Sequence, residues 1–480
     1  MSDNSFVKKF IKNVTGFSVG TFVNFGLGIL ILPISTYVFK PEDLGSINLF
    51  ITYYMFFTYF CYLGLDQAFV RFYHETNLPS ERRKLFSYCL KYSLIITGGA
   101  FVFICFLTSY LSEEILGYSN IYIGICLGIS LTGQVILRYC NLLKRMECNI
   151  VAFTVQALLM GIGLKASYVL AGIWKDDALT AIVVISVYNL FTALVFIFYE
   201  RKEISFTNRP DRLFQKSLFQ YSIPLVPITL VSWLNSSLPQ LLLNKLADIS
   251  SVGIYTNAAN LAAMVSIVKE GFANYWMPFV YENYKTEQEK MAQIHHIITF
   301  ITILTGLLLI MATDIIYFFI GKSYQSGKVI FPILIISPIL LTILNVTDSI
   351  GISIAKKNHL QLIAYTISAI VNIGLSALLM PLYGILGAAA ATALSSAALL
   401  GCMTVFGRKY YRFVHSYKKM ILGILLLVCA AILNGALVNQ FFVRYGLLIV
   451  LIVVLIIVYR SECIRIAEFI RIEYRKRKKQ

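Results

Sequence analysis

Apolar runs of about 20 residues recur along the whole chain, separated by short basic segments, and that is the length at which an α-helix crosses about 30 Å of hydrocarbon. Lipid offers backbone N–H and C=O groups no partners, so runs of this kind form helices. Fourteen spans are predicted: Thr15–Phe39, Leu44–Leu65, Leu85–Tyr110, Ile121–Tyr139, Val151–Ile173, Leu179–Tyr199, Phe219–Asn244, Val252–Phe279, Ile294–Ile320, Val329–Ala355, Leu360–Met380, Ile385–Phe406, Met420–Val438 and Phe442–Tyr459. The second, fourth and eighth carry the most polar residues. The expected fold class is an all-α polytopic membrane protein.

Polar residues inside the spans fall in stripes at i, i+3 and i+4 spacing, which puts them on one helix face. The first span carries Thr21, Asn24, Gly28 and Ser35, and the second carries Asn48, Thr52, Tyr59, Tyr62 and Asp66, with Met55 between. The seventh carries Thr229, Ser232, Ser236, Gln240 and Asn244; the eighth carries Gly253, Asn257, Asn260 and Gly271; the eleventh carries Gln361, Tyr365, Ser368, Asn372 and Ser376. Any one stripe reads equally well as interhelical packing, where small and hydroxylated residues are usual. Five together, concentrated in the first two spans of each half, point to a hydrated central cavity.

A weak repeat sets the organisation. Leu32-Pro33 is followed twelve residues later by Gly45, and Leu238-Pro239 is followed fourteen residues later by Gly253. Six spans separate the copies, and an even number gives both the same orientation, so the repeat axis runs along the membrane normal. The expectation is two six-helix lobes, 1–205 and 206–412, two further helices within 413–460, and a basic amphipathic tail, 461–480.

Charge supports this map. Only 14% of residues are charged and 58% are hydrophobic, with a mean hydropathy of +0.74; a soluble chain carries about a quarter of its residues charged. With the N-terminus in the cytoplasm, 33 of the 41 Lys and Arg lie in or beside cytoplasmic segments and six lie outside: Lys40, Lys175, Lys245, Lys322, Lys328 and Arg444. This is the positive-inside bias. It assigns the net charge of +17 to topology and to anionic inner-leaflet lipids rather than to nucleic acid. The tail ends in Arg475-Lys476-Arg477-Lys478-Lys479, which suits a polybasic anchor on an anionic leaflet.

Several chemistries find no support. Gly321-Lys322-Ser323 has Ile316 where a phosphate-binding loop needs its first glycine. Nine cysteines stand singly with no CxxC, so neither disulfides nor zinc are indicated. The outer loops are too short for the large acid- or arginine-rich loop of a membrane glycan polymerase or ligase. No cofactor is expected, and no catalytic or metal site.

Ionisable residues inside spans are costly and are functional candidates. Lys165 lies deep in the fifth span with no acid adjacent in sequence, and is the leading candidate for an anionic ligand. Arg138 and Arg71 sit near cytoplasmic ends, where snorkelling is the simpler account. Lys269 projects nearly opposite Asn257 and Asn260, with Glu270 between. Candidate substrate-binding residues are therefore Lys165, Arg138, Arg71, Asn24, Asn48, Tyr59, Gln240, Asn257, Asn260 and Lys269. Candidate ion-coupling acids are Glu270, Asp314, Asp348 and Asp66; for the first three, structural ion pairing is the simpler account.

Three patches carry a family resemblance. The first is Leu32-Pro33 through Lys40-Pro41-Glu42-Asp43-Leu44-Gly45 to Leu63-Gly64-Leu65 and Arg71. The second is Tyr221-Ser222-Ile223-Pro224-Leu225-Val226-Pro227 with Val252-Gly253-Ile254-Tyr255 and Trp276-Met277-Pro278-Phe279. The third is Ile350-Gly351-Ile352 with Ala355-Lys356-Lys357, Asn372 and Met380-Pro381-Leu382-Tyr383-Gly384 to Gly387-Ala388-Ala389. In order and spacing the chain resembles the bacterial polysaccharide-biosynthesis, O-antigen-type flippases of the multidrug/oligosaccharidyl-lipid/polysaccharide exporter superfamily. The resemblance implies a two-lobed alternating-access transporter of the bacterial cell membrane with both termini cytoplasmic. Its cargo would be an undecaprenyl-pyrophosphate-type lipid-linked glycan, destined for O-antigen, lipopolysaccharide or capsule, and its partners polysaccharide polymerase or assembly proteins. Other readings stay open: a drug exporter, whose cavity should be dominated by acids, a lipid II exporter, or a glycan polymerase.

Overall fold

The structure, a computed structural model, describes residues 23–73, 76, 78–204, 211–267, 269, 276, 279–281, 284–355, 357–465 and 467–468. Glu270 and the basic run 475–479 lie outside these residues. All regular structure among the described residues is helical. Among the described residues, twelve helical segments are long and apolar enough to cross a membrane. The first and eighth predicted spans add the shorter helices α1 (Val23–Val38) and α11 (Ile249–Ala262), giving about fourteen spans. The chain divides into unit 1, Met1–Thr256, and unit 2, Asn257–Gln480.

In unit 1, α2 spans Pro41–Tyr62. Pro41 needs no N–H at a first-turn position, and Glu42 and Asp43 complement the positive end of the helix dipole. The helix stops at Leu63 and Gly64, both with positive φ, and restarts as α3 (Leu65–Tyr73). A left-handed pair at this point also lets Gly64 press its α-carbon against the Ser222 backbone carbonyl, where a Cβ would clash.

The next helix, α4 (Pro79–Leu116), runs 38 residues from a first-turn proline to the left-handed Gly117. It outlasts the predicted Leu85–Tyr110 at both ends because these cap signals, not the apolar run, set its limits. It packs against α5 (Tyr122–Met146), which in turn packs against α8 (Ala178–Tyr199). Polar pairs stitch these helices: Ser93 with Tyr139 and Ser130 with Ser186, each at 2.9 Å. Lys144 bonds Glu147 and Glu200, both at 2.8 Å. Burial pushes the Glu200 carboxyl above its ordinary range, against the opposing pull of Lys144.

The fifth predicted span breaks at Ala166 into α6 (Ile150–Lys165) and α7 (Ser167–Trp174). The seventh comprises α9 (Arg212–Ser222) and α10 (Leu225–Leu246), separated at Ile223–Pro224, where proline has no N–H to continue the ladder.

Unit 2 contains α12 (Gln288–Met311), α13 (Thr313–Phe318), α14 (Gly327–Leu334), α15 (Ile336–Leu344), α16 (Ile350–Ile354), α17 (Asn358–Tyr383), α18 (Ile385–Arg408), α19 (Lys418–Ala436) and α20 (Phe441–Val458). α17 and α18 pack along their length through small residues. Ser368 donates to the Ser395 carbonyl and Asn372 to the Ser395 hydroxyl, each at 2.9 Å, and Ser376 bonds Asn372. Ser368, Asn372 and Ser376 of the eleventh-span stripe are thus buried in interhelical packing, where small and hydroxylated residues are usual.

Asp348 is fully buried. Its Oδ1 accepts from the backbone N–H groups of Phe413 and Val414, both at 3.0 Å, pinning the segment after α18. Phe413 and Val414 belong to a core with Trp276, Val280, Met291, Val346 and Ile350. Asp348→Ala would strand two buried N–H groups at about 1–3 kcal/mol each. A clear fall in the thermal unfolding midpoint in detergent is expected; an unchanged midpoint would contradict this role.

Candidate functional site

Two helix breaks in unit 1 come together around a cavity of about 260 Å³. From α2, Met55, Thr58, Tyr59 and Tyr62 face it, and Gly64, Asp66 and Gln67 continue the wall through the break into α3. Gln134 and Arg138, one helical turn apart, come from α5; Met160 comes from α6. Leu225, Val226 and Thr229 come from the start of α10. The second-span stripe therefore does face a cavity over its C-terminal half. The lining combines apolar side chains (Met55, Met160, Leu225, Val226) with polar and charged ones, which suits an amphiphile.

The cavity's charged lining residues are Asp66 and Arg138. Arg138 donates to a single carboxylate oxygen, Asp66 Oδ2, from Nη2 at 2.9 Å and Nε at 3.3 Å. Gln67 Nε2 donates to the same oxygen at 2.9 Å. The Asp66 side chain is 8% exposed and that of Arg138 35%. The arginine thus keeps donors toward the cavity while its acid is buried. Asp66 and Arg138 were expected to serve ion coupling and substrate binding separately; they form one pair.

Lys165 stands elsewhere in unit 1. Its Nζ donates to the Asn24 backbone carbonyl at 2.9 Å, and among the described residues no acid pairs with it. It lies over Gly28, where a Cβ would come within 3.0 Å of Nζ. Asn24 donates to the Ala157 carbonyl at 2.9 Å, and its Oδ1 is buried without a partner. The ammonium thus sits at the α6–α7 break and is satisfied by one carbonyl.

At the other end of these helices, α2 and α11 cross almost backbone to backbone. A Cβ on Gly253 would strike the Pro41 carbonyl and lie 3.0 Å from the Gly45 nitrogen; one on Gly45 would strike the Ile249 carbonyl. The two glycines that mark the sequence repeat meet here. Nearby, Glu114 accepts from Asn244 and pairs with Lys245 at 3.2 Å, beside an open cleft of about 920 Å³ that Glu42, Glu113 and Asp248 also line. Thr52 donates to Gln240 at 2.6 Å.

The remaining candidates scatter. Asn48 bonds the Leu44 carbonyl within its own helix, and Arg71 is exposed in the last turn of α3. In unit 2, Asn257 is buried with neither amide atom hydrogen-bonded among the described residues, Asn260 is exposed and Lys269 half-buried. Asp314 pairs with Lys328 at 2.7 Å, with Arg444 in the first turn of α20, and with Tyr445 at 3.0 Å. Arg444, expected in an outer loop, is buried by this network. Sequence reasoning passed over Gln134, Gln67, Thr58 and Met160; the i, i+4 spacing of Gln134 and Arg138 on the fourth span was the available signal for the first.

A family profile described as polysaccharide biosynthesis protein matches residues 10–280, more than half of the chain. No curated protein matches the sequence. Among solved structures, a lipid II flippase MurJ in an inward closed conformation superposes with TM-score 0.71 at 17% identity, over 93% of this chain and 99% of that one. An inward-facing multidrug resistance transporter of the MATE family, MOP superfamily, superposes with TM-score 0.59 at 14% identity, over 80% and 93%. A MATE protein in complex with MaL6 gives 0.57 at 15% identity, over 83% and 95%. These likenesses show a shared fold.

Proposed function

The chain belongs to the polysaccharide biosynthesis protein family, and from that premise we propose that it is a flippase, carrying a lipid-diphosphate-linked oligosaccharide from the inner to the outer leaflet by alternating access. The observation that carries this reading is the unit 1 cavity, where a guanidinium with donors to spare shares the lining with apolar side chains. Arg138 would grip the diphosphate, since arginine binds phosphate oxygens through paired N–H donors. Tyr59, Gln134 and Thr229 would meet sugar hydroxyls, while the lipid tail stays in the bilayer. The crossing at Gly45 and Gly253 would be the outer gate in its closed state.

The charge bias supports both termini being cytoplasmic, and the family resemblance implies a bacterial cell membrane as the location. The sequence offers no phosphate-binding loop, so net transport would draw on a substrate or ion gradient; Asp66, joined directly to the cation of the cavity, is the acid best placed to couple one. Asn24, Asn48, Gln240, Asn257, Asn260, Lys269 and Arg71 would line or flank the path, with polymerase or assembly proteins downstream. A second reading, with lipid II as cargo, is favoured by the 0.71 superposition on MurJ; both cargoes share the lipid diphosphate and differ in the sugar. Deleting the gene and identifying the lipid-linked glycan that accumulates in the inner leaflet tests the proposal. Accumulation of none would contradict it.

Lys165 would serve as a second cation along the same path. A lone ammonium at this depth is unfavourable by roughly 2.5–3.5 kcal/mol on translocon scales, and an anionic cargo would offset that. Lys165→Ala is expected to reduce flipping sharply at normal membrane levels, with Lys165→Arg retaining part. Full activity in a well-expressed Lys165→Ala variant would remove it from the path.

A further inference from the structure

We propose that Asp66 is a selectivity residue: it occupies Arg138 as an internal stand-in for phosphate, so that a diphosphate displaces it and a singly charged phosphodiester does not. The inference rests on the flippase reading above and adds a reason for the acid in the cavity. An unmasked arginine in a cavity that serves lipid headgroups would capture ordinary anionic phospholipids, which are abundant in the inner leaflet. Their phosphodiester carries one negative charge, as does the Asp66 carboxylate. A cargo diphosphate diester carries two and offers more acceptor oxygens, so it competes where the phospholipid does not. Discrimination then comes from a built-in competitor rather than from shape.

Three features of the geometry fit exchange better than a permanent clamp. Arg138 engages one carboxylate oxygen only, at 2.9 and 3.3 Å, instead of bridging both. Its side chain remains 35% exposed, so an incoming anion can reach the guanidinium. Gln67 donates to the same Asp66 oxygen at 2.9 Å and would remain bound after the arginine swings to the diphosphate, limiting the cost of the freed acid.

The test uses purified full-length protein in phosphatidylcholine nanodiscs with two probes, farnesyl-diphospho-N-acetylglucosamine and dioctanoyl phosphatidylglycerol. Wild type should prefer the diphosphate by at least about tenfold. In Asp66→Asn, phosphatidylglycerol binding should rise and the preference collapse; Asp66→Glu, which restores the carboxylate, should restore it. Asp66→Ser is measured in parallel, because it keeps a hydrogen-bonding partner for Gln67. A wild-type preference in whichever neutral variant melts like wild type overturns the assignment. So does unfolding of both neutral variants, which would make the pair a structural clamp. If wild type itself shows no preference for the diphosphate, the flippase reading fails too; if it does and the neutral variants keep it, only the role of Asp66 fails.

Discussion

Arg138→Gln is expected to abolish flipping of a diphosphate-linked lipid in reconstituted vesicles. Truncating one partner of a desolvated, hydrogen-bonded charge pair costs about 2–5 kcal/mol, which is roughly 30-fold to several thousandfold in binding. Part of that loss would come from Asp66, left buried without its cation. The double variant Asp66→Asn/Arg138→Gln removes both charges and separates the contributions, as a double-mutant cycle does. If the phosphate contact matters, the double variant recovers stability but not transport. Recovery of transport in the double variant would show that Arg138 serves only to neutralise Asp66.

Gly253→Val should be nearly as damaging, for a different reason. The atoms that a side chain would strike are the Pro41 carbonyl and the Gly45 nitrogen. Backbone in two helices cannot move aside as a flexible side chain can. Overpacking costs about 1–3 kcal/mol in ordinary cores. At the upper end that lowers the population of the closed crossing roughly hundredfold. If closure here is one half of the transport cycle, flipping falls with it. A cysteine placed at Ile249, whose carbonyl lies against Gly45, should become more reactive toward a membrane-impermeant maleimide in the Gly253→Val background. Wild-type flipping and unchanged labelling would mean that the crossing is not a gate.

Span number, helical class and the two repeat glycines were legible because they depend on local signals: run length, charge side and spacing. The second-span stripe was legible for the same reason, and Tyr59, Tyr62 and Asp66 share the wall of one cavity. What stayed hidden was which distant groups meet. Asp66 and Arg138 lie 72 residues apart, and Asp314 and Arg444 lie 130 apart; no periodicity within one helix announces such pairs. The stripe of the eleventh span shows the converse. Ser368, Asn372 and Ser376 have the spacing of a cavity wall, yet Ser395 on the facing helix takes up Ser368 and Asn372. Hydroxyls that bond a neighbour and hydroxyls that bond a cargo look alike until the neighbour is known. The break at Ala166 also lacked a signal, since neither proline nor glycine stands there.

The most direct measurement is scrambling of a fluorescent farnesyl-diphosphate-linked sugar across vesicles that contain the purified protein, followed by chemical quenching of the probe in the outer leaflet. The account predicts movement well above protein-free vesicles, loss of that movement in Arg138→Gln, and little movement of the same lipid without its diphosphate. Rates equal to those of protein-free vesicles, or equal for the lipid with and without the diphosphate, would contradict it.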